Sequence, residues 1–125
     1  MTMQPDELEL ATRFRNALEH AAKSGDWTEV YPCLAADVEW VTPKRTLVGI
    51  DEVEHDLIWG TPPEHLDQEF RVGDWVDLGD RRAAVDVHQV YRVKGSGDFA
   101  YERDLRIEIA IRDGKIVRYE IRAVG

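Results

Sequence analysis

Apolar residues in the first third of the chain recur at helical spacing. Leu8, Ala11, Phe14, Leu18 and Ala21 fall three and four apart, with Glu9, Arg13, Arg15 and Glu19 between them, which predicts an amphipathic helix. Pro5 suits its first turn, and Ser24-Gly25 closes it. Asp26, with Glu29 three residues on, reads as the capping box of a short second helix whose apolar side is Trp27, Val30, Tyr31 and Leu34. Pro32 is tolerable there only near the helix start. Asp37 to Thr42 alternates as a strand, with Val38, Trp40 and Thr42 on one face. Pro43 ends it, and Arg45 to Val48 pairs back as a short partner. Gly49 introduces a third helix, with Val53, Leu57 and Ile58 as its buried stripe, and Gly60-Thr61-Pro62-Pro63 stops it.

The second half changes period. Four alternating segments, 66–78, 82–94, 99–112 and 115–124, are divided by Gly79-Asp80, Gly95-Ser96-Gly97-Asp98 and Asp113-Gly114. Three helices followed by a meander of long strands predict an α+β fold, with the helices packed on one face of a curved antiparallel sheet. With 125 residues, no internal repeat and no linker, residues 1–125 make a single domain.

Strand register decides which residues look inward. A loop at Gly95 to Asp98 makes Lys94 and Phe99 the closing pair, which sets Val90 opposite Arg103 and His88 opposite Leu105. The face of Leu105, Ile107, Ile109 and Ile111 is plainly buried. This register brings Ala84, Asp86, His88, Val90 and Arg92 to the same side. At the next hairpin, a two-residue turn would align Arg118, Glu120 and Arg122 with the isoleucines. A three-residue loop with Gly114 left-handed aligns Val117, Tyr119, Ile121 and Ala123 instead, and is preferred. The concave face is then apolar at the bottom and carries Asp86, His88, Arg103 and Tyr101. Ala83, Val85, Val87 and Tyr91 lie on the outer face beside Glu102, Asp104, Arg106 and Glu108, an apolar patch rimmed by charge that predicts a homodimer interface. Taken alone, however, the alternation of 82–94 points Ala83, Val85, Val87 and Tyr91 to the core and Asp86 and His88 to solvent. A single bulge in the hairpin would restore that arrangement, so both stay open.

If Asp86 and His88 face inward, their Cα atoms lie about 6.5–7 Å apart on one strand face. A carboxylate at that spacing can fix the tautomer of an imidazole and raise its basicity. Histidine then serves as a proton shuttle for isomerisation, dehydration or aldol-type cyclisation, with Arg103 holding a carbonyl or enolate oxygen. The plainer alternative is an Asp86–Arg103 ion pair with His88 packed nearby. Asp51 and His55 have helical metal-ligand spacing but no third ligand, so no metal is expected. His20 suits the end of the first helix, and His65 lies in the Pro-rich loop. Among the tryptophans, Trp40 and Trp59 are placed to line a pocket. Cys33 reads as a buried thiol.

Charge and composition narrow the partners. Lys plus Arg number 16 against 25 Asp plus Glu, a net charge of −9, which disfavours nucleic acid and anionic membrane surfaces. Hydrophobic residues make up 43% and charged residues 33%, as in a folded globular chain. The single cysteine excludes an intramolecular disulfide and a cysteine-based zinc site. The N-terminus lacks the basic start and apolar run of a signal peptide, and no apolar stretch approaches the roughly 18 residues of a membrane span, so a cytoplasmic location is expected.

The order of elements and several local patterns resemble the SnoaL-like and ketosteroid-isomerase-like branch of the NTF2-like superfamily. The residues that carry the resemblance are Gly25-Asp26-Trp27, Leu34-Ala35-Ala36-Asp37-Val38-Glu39-Trp40, Gly49 with Val53 and Leu57, Gly79-Asp80-Arg81, and Asp113-Gly114-Lys115-Ile116-Val117. The resemblance implies a cone-like α+β roll of the cystatin-like kind, with helices closing over a curved sheet around a pocket, and commonly a dimer. Ketosteroid isomerases keep a catalytic aspartate where this chain has Thr42, an oxyanion tyrosine where it has Phe14, and a protonated aspartate where it has Ile107, so that mechanism is not expected. Limonene-epoxide hydrolases carry an Arg-x-Asp pair where Asp86-Val87-His88 stands, and a further aspartate where Ile121 stands. The expected site is therefore His88, Asp86 and Arg103 as catalytic groups, with Phe14, Trp40, Thr42, Trp59, Tyr101 and Tyr119 lining a pocket for a small apolar molecule, and no cofactor. Two functions remain open: a cofactor-independent isomerase, cyclase or dehydratase of a ketone or polyketide-like compound, or a non-catalytic binding or dimerising domain of the same fold.

Overall fold

The structure, a computed structural model, describes residues 4–59 and 65–124, except for the side chains of 56–59. Helix α1 runs Pro5–Ser24. The Gln4 backbone N–H donates to Glu7 Oε1 at 2.8 Å, tying down its start. Gly25, at φ +76°, ends the helix by donating its N–H to the Ala21 carbonyl at 2.8 Å. The buried stripe is Leu10, Ala11, Phe14, Ala17, Leu18 and Ala21. Leu10 takes the inward place expected of Leu8, which is exposed.

The expected second helix does not form. The Asp26 carboxylate accepts from both the N–H and the hydroxyl of Thr28, at 3.0 and 2.7 Å, making a turn rather than a capping box. Only one 3-10 turn follows, Tyr31–Cys33, since Pro32 has no N–H to donate to a longer helix. The chain then enters β1 (Leu34–Val41), returns through β2 (Thr46–Val48) and forms α2 (Ile50–Trp59). Val53 of α2 is buried; the side chains of Leu57, Ile58 and Trp59, and the stop at Gly60–Pro63, lie outside the described residues.

The described strands continue with β3 (Leu66–Val72), β4 (Val76–Gly79), β5 (Arg82–Val93), β6 (Phe99–Arg112) and β7 (Lys115–Ala123). They form one curved sheet in the order β2-β1-β7-β6-β5-β3, with β4 also on β5. The pair β1–β7 is parallel, so the sheet is mixed rather than wholly antiparallel. The segment expected as one strand over 66–78 breaks at Gly73, whose N–H donates to the Asp86 carbonyl at 3.0 Å. A Cβ there would lie 3.2 Å from that oxygen, a close approach that suits glycine. Trp75 then turns inward and donates Nε1–H to the Ala11 carbonyl at 2.8 Å, pinning α1 to the sheet edge.

Register is where the structure corrects the sequence reading. Val87 pairs with Leu105, Val85 with Ile107 and Ala83 with Ile109; Tyr91 pairs with Tyr101 and Arg92 with Phe99, which leaves Ala100 as a bulge. That one extra residue turns β5 over relative to the expected pairing. Val85, Val87 and Tyr91 are therefore core, not a dimer face. Asp86 and His88 point to the outer face beside Arg106 and Asp104. At the last hairpin the turn is the two-residue one, Asp113 and Gly114 at φ +52° and +74°, closed by Arg112 and Lys115. An unpaired Val117 then shifts the strand so that Tyr119, Ile121 and Ala123 oppose Ile109, Ile107 and Leu105. The expected alignment of those three arises through a bulge instead of a longer loop, and Ile116 replaces Val117 on the inner face.

Between the helices and the inner sheet face, Phe14, Leu18, Val30, Val38, Val53, Ile107, Ile109 and Ile116 are fully buried. Truncating Ile107 to alanine removes part of the core centre and is expected to cost about 2–5 kcal/mol. Asp86→Ala, on the outer face, is expected to change stability by no more than about 0.5 kcal/mol. Urea denaturation of the two variants checks this register, and comparable losses would contradict it.

Candidate functional site

The inner face is apolar except at one end. Strand β7 finishes at Ala123, opposite Leu105, while β6 extends further towards its N-terminus through Arg103 and Tyr101. Alternation along β3, β5 and β6 places Gln68, Gln89, Tyr91, Tyr101 and Arg103 on that uncovered end of the inner face. Arg103 Nε–H donates to Gln89 Oε1 at 2.6 Å, and Gln89 Nε2–H donates to Gln68 Oε1 at 2.8 Å. Gln89 is only 5% exposed; the sheet tolerates its amide because both ends of it are bonded. Tyr91 and Tyr101 stack beside this relay with ring centroids 4.5 Å apart. Burial holds the Tyr91 hydroxyl above the ordinary phenol range; Tyr101 adds to the shift and the Arg103 guanidinium opposes it.

Among the described residues Arg103, like Arg13, Arg92 and Arg112, has no carboxylate within ion-pair distance, whereas Arg15, Arg71, Arg81, Arg82, Arg106, Arg118 and Arg122 each pair with one. Gln68, at the far end of the relay, also lines a depression of about 180 Å³ between the end of α1 and β3, with Trp27, Leu66, Lys23 and Lys94 around it.

The residues expected to line a pocket deeper in the cone pack against one another. Trp40 stacks on Tyr119 with centroids 3.7 Å apart, and Phe14 meets Tyr119 edge-on at 5.9 Å. All three are buried, and burial pushes the Tyr119 hydroxyl far above the ordinary range. Thr42 closes a tight loop, with its N–H and hydroxyl both donating to the Arg45 carbonyl at 2.9 and 3.1 Å. The Trp59 side chain lies outside the described residues. Of the expected site residues, the structure thus places Arg103 and Tyr101 at the uncovered end, packs Phe14 and Trp40 on Tyr119 in the core, and puts Asp86 and His88 along a different depression.

Asp86 and His88 sit on the opposite side of the sheet. His88 Nδ1 lies 2.8 Å from Asp104 Oδ1, and its Nε2 lies 3.0 Å from Glu102 Oε2. An imidazole can donate to two carboxylates at once only when protonated. The hydrogen bond to Asp104 is the foremost cause of a pKa above the ordinary histidine value; desolvation opposes it, and Glu102 adds to the rise. Asp86 takes no part. An open depression of about 520 Å³ is lined by Asp86, His88, Asp104 and Val124 and also reaches the inward residues Val72, Val87 and Leu105. Both nitrogens of His88 face carboxylates, and no group of three His, Cys, Asp or Glu among the described residues is arranged to hold a metal ion.

The residues missed from sequence are Gln68, Gln89 and Tyr91. The signal for the last two was present: in the stretch from Ala83 to Tyr91, following the alternation of that strand alone puts a lone glutamine on its apolar side.

His88 is expected to titrate above the ordinary histidine value in an NMR pH series. Asp104→Asn should lower that value and Asp86→Asn should leave it in place. Because the folded-state value is the higher one, the attraction stabilises the fold below the unfolded value of about 6.5 and is lost as pH rises through the folded value. A value that moves with Asp86 instead would contradict the outer-face geometry.

No protein-family model matches the sequence, and no curated protein matches it. Its backbone, by contrast, matches 353 solved chains, too many for the fold alone to name an activity. An NTF2-like protein from Anabaena variabilis aligns over 100% of this chain and 95% of its own, with a TM-score of 0.81 and 14% identity. A candidate polyketide cyclase from Xanthomonas campestris aligns over 92% of this chain and 90% of its own, with a TM-score of 0.70 and 18% identity. A candidate ketosteroid isomerase from Kribbella flavida aligns over 100% and 82%, with a TM-score of 0.70 and 18% identity. Likeness in shape across nearly the whole length at such low identity establishes architecture: this chain has the NTF2-like fold.

Proposed function

We propose that this chain binds a small, largely apolar molecule at the uncovered end of its cone, between the end of α1 and the inner faces of β5 and β6. The observation that carries the reading is the Gln68–Gln89–Arg103 relay, a built polar network at the edge of an otherwise apolar face. Binding sites of this kind combine an apolar wall with a few placed polar groups. Here the wall is Phe70, Leu105 and the stacked pair Tyr91–Tyr101, and the polar groups are Gln89 and Arg103.

The same site supports binding better than acid–base catalysis. Among the described residues, the inner-facing positions of β3, β5, β6 and β7 hold no carboxylate or imidazole, so these positions offer no ordinary general base. Tyr91, raised above the phenol range, is a poor one at neutral pH. The fold shared with a candidate polyketide cyclase and a candidate ketosteroid isomerase favours the second reading, an isomerase or cyclase acting on a ketone. A second copy of this chain, if one associates, meets a surface other than Val85, Val87 and Tyr91, which are buried here. No described helix is long and apolar enough to cross a membrane.

A neutral aromatic ketone, 2-acetylnaphthalene, tests both readings. At ten times its Kd it is expected to stabilise the fold by about 1.4 kcal/mol, raising Tm by a few degrees. Tyr101→Ala, which removes the exposed half of the tyrosine stack, should weaken binding several-fold. No Tm shift, and no change in the Gln89 side-chain NMR signals, would overturn the site. Protein-dependent exchange of the ketone's methyl protons in deuterated water would move the conclusion to catalysis.

A further inference from the structure

The chemistry around Arg103 specifies the ligand more narrowly, resting on the reading of the uncovered end as a binding site. We propose that the site takes a planar aromatic or conjugated carboxylic acid, with the carboxylate on the Arg103 guanidinium and the ring against Tyr101.

Arg103 is a cation set among neutral groups. Its Nε–H is committed to Gln89 Oε1 at 2.6 Å, and Gln89 is itself fixed by Gln68 at 2.8 Å. The relay thus positions the guanidinium without neutralising it. In a chain with 25 acidic and 16 basic residues, an arginine without a carboxylate on this face is an unspent charge. The pairs on the outer face show the contrast: Glu108 alone meets Arg82, Arg106 and Arg122. With Nε on Gln89 and the guanidinium also within hydrogen-bonding reach of the Tyr91 hydroxyl, both neutral partners, the charge of the terminal nitrogens is left for an anion, and a planar carboxylate suits a guanidinium.

Two further features agree. Tyr101 is 47% exposed while its ring is braced from one side by Tyr91, so a flat aromatic face is presented next to the cation. The depression at the other end of the relay is edged by Lys23 and Lys94 against the single carboxylate of Asp67, a local excess of positive charge in a protein of charge −9.

The test compares 2-naphthoate with 2-naphthamide, nearly identical in shape and differing in charge, by calorimetric titration of the full chain at low salt. Naphthoate is expected to bind at least tenfold more tightly, with the difference shrinking as salt rises. Arg103→Gln should reduce naphthoate affinity to that of the amide. Arg103→Lys, which keeps the charge but not the fork, should fall between. The Tm of each variant without ligand reports whether it has folded. Equal affinity of acid and amide for the unmodified chain overturns the acid class while leaving the binding site in place. A preference for the acid that survives in Arg103→Gln overturns the assignment to this arginine. Binding of neither compound overturns both the acid class and the site.

Discussion

The pairing of β5 with β6 is the constraint on which the rest depends. These two strands are the longest in the sheet, and inward residues from Ala83 to Tyr91 are matched to inward residues from Ile109 to Tyr101. Side chains alternate along a strand, so this register alone decides whether Val85 and Val87 or Asp86 and His88 meet the isoleucines. Burying two ionisable groups against Leu105 and Ile107 would cost several kcal/mol unless each were fully paired. The Ala100 bulge avoids that cost by absorbing the residue that the hairpin loop would otherwise impose on the register. Once the valines are inside, Gln89 and Tyr91 follow on the same face, and the polar relay is a consequence of the same choice.

The register also divides the charges. On the outer face, Arg82, Arg106 and Arg122 gather on Glu108, and Arg118 meets Glu39 and Glu120; each such exposed pair contributes little to stability. Their role is to keep that face wet and the two faces distinct. His88 belongs to this outer set, held between Asp104 and Glu102. Arg103 is the inward counterpart, held by an amide and left with its charge. One sheet therefore carries a neutralised surface and, at one end of its other side, a cation with neutral neighbours.

The aromatic floor explains how this fold differs from what its resemblance implied. With Phe14 and Trp40 both packed on Tyr119, the depth of the cone is occupied by side chains rather than lined by them. Such packing is dense and stabilising, and it moves the accessible polar chemistry outward to the end of β5 and β6. A shared backbone thus accommodates sites at different depths, which is why shape leaves the activity open.

Local sequence determined what local physics controls. The helical period of residues 8–21, the left-handed glycine after Ser24, the strand entering at Trp40, the helix after Gly49 and the alternating second half were legible because each depends on neighbours within a few residues. The same patterns carried the fold resemblance. Sequence also held, in the alternation of 82–94 alone, the correct inward face. What it could not decide was the competition between that alternation and the hairpin loop, because a bulge costs little locally and is chosen by the packing of the whole sheet. The parallel pairing of β1 with β7 joins ends of the chain and has no local signature. The site suffered most from this. Asp86 and His88 looked like partners because they are two residues apart, yet His88 found Asp104 across the strands, and Arg103 found Gln89. Those partnerships exist only after the strands are in register, so tertiary structure alone decided which face held the chemistry.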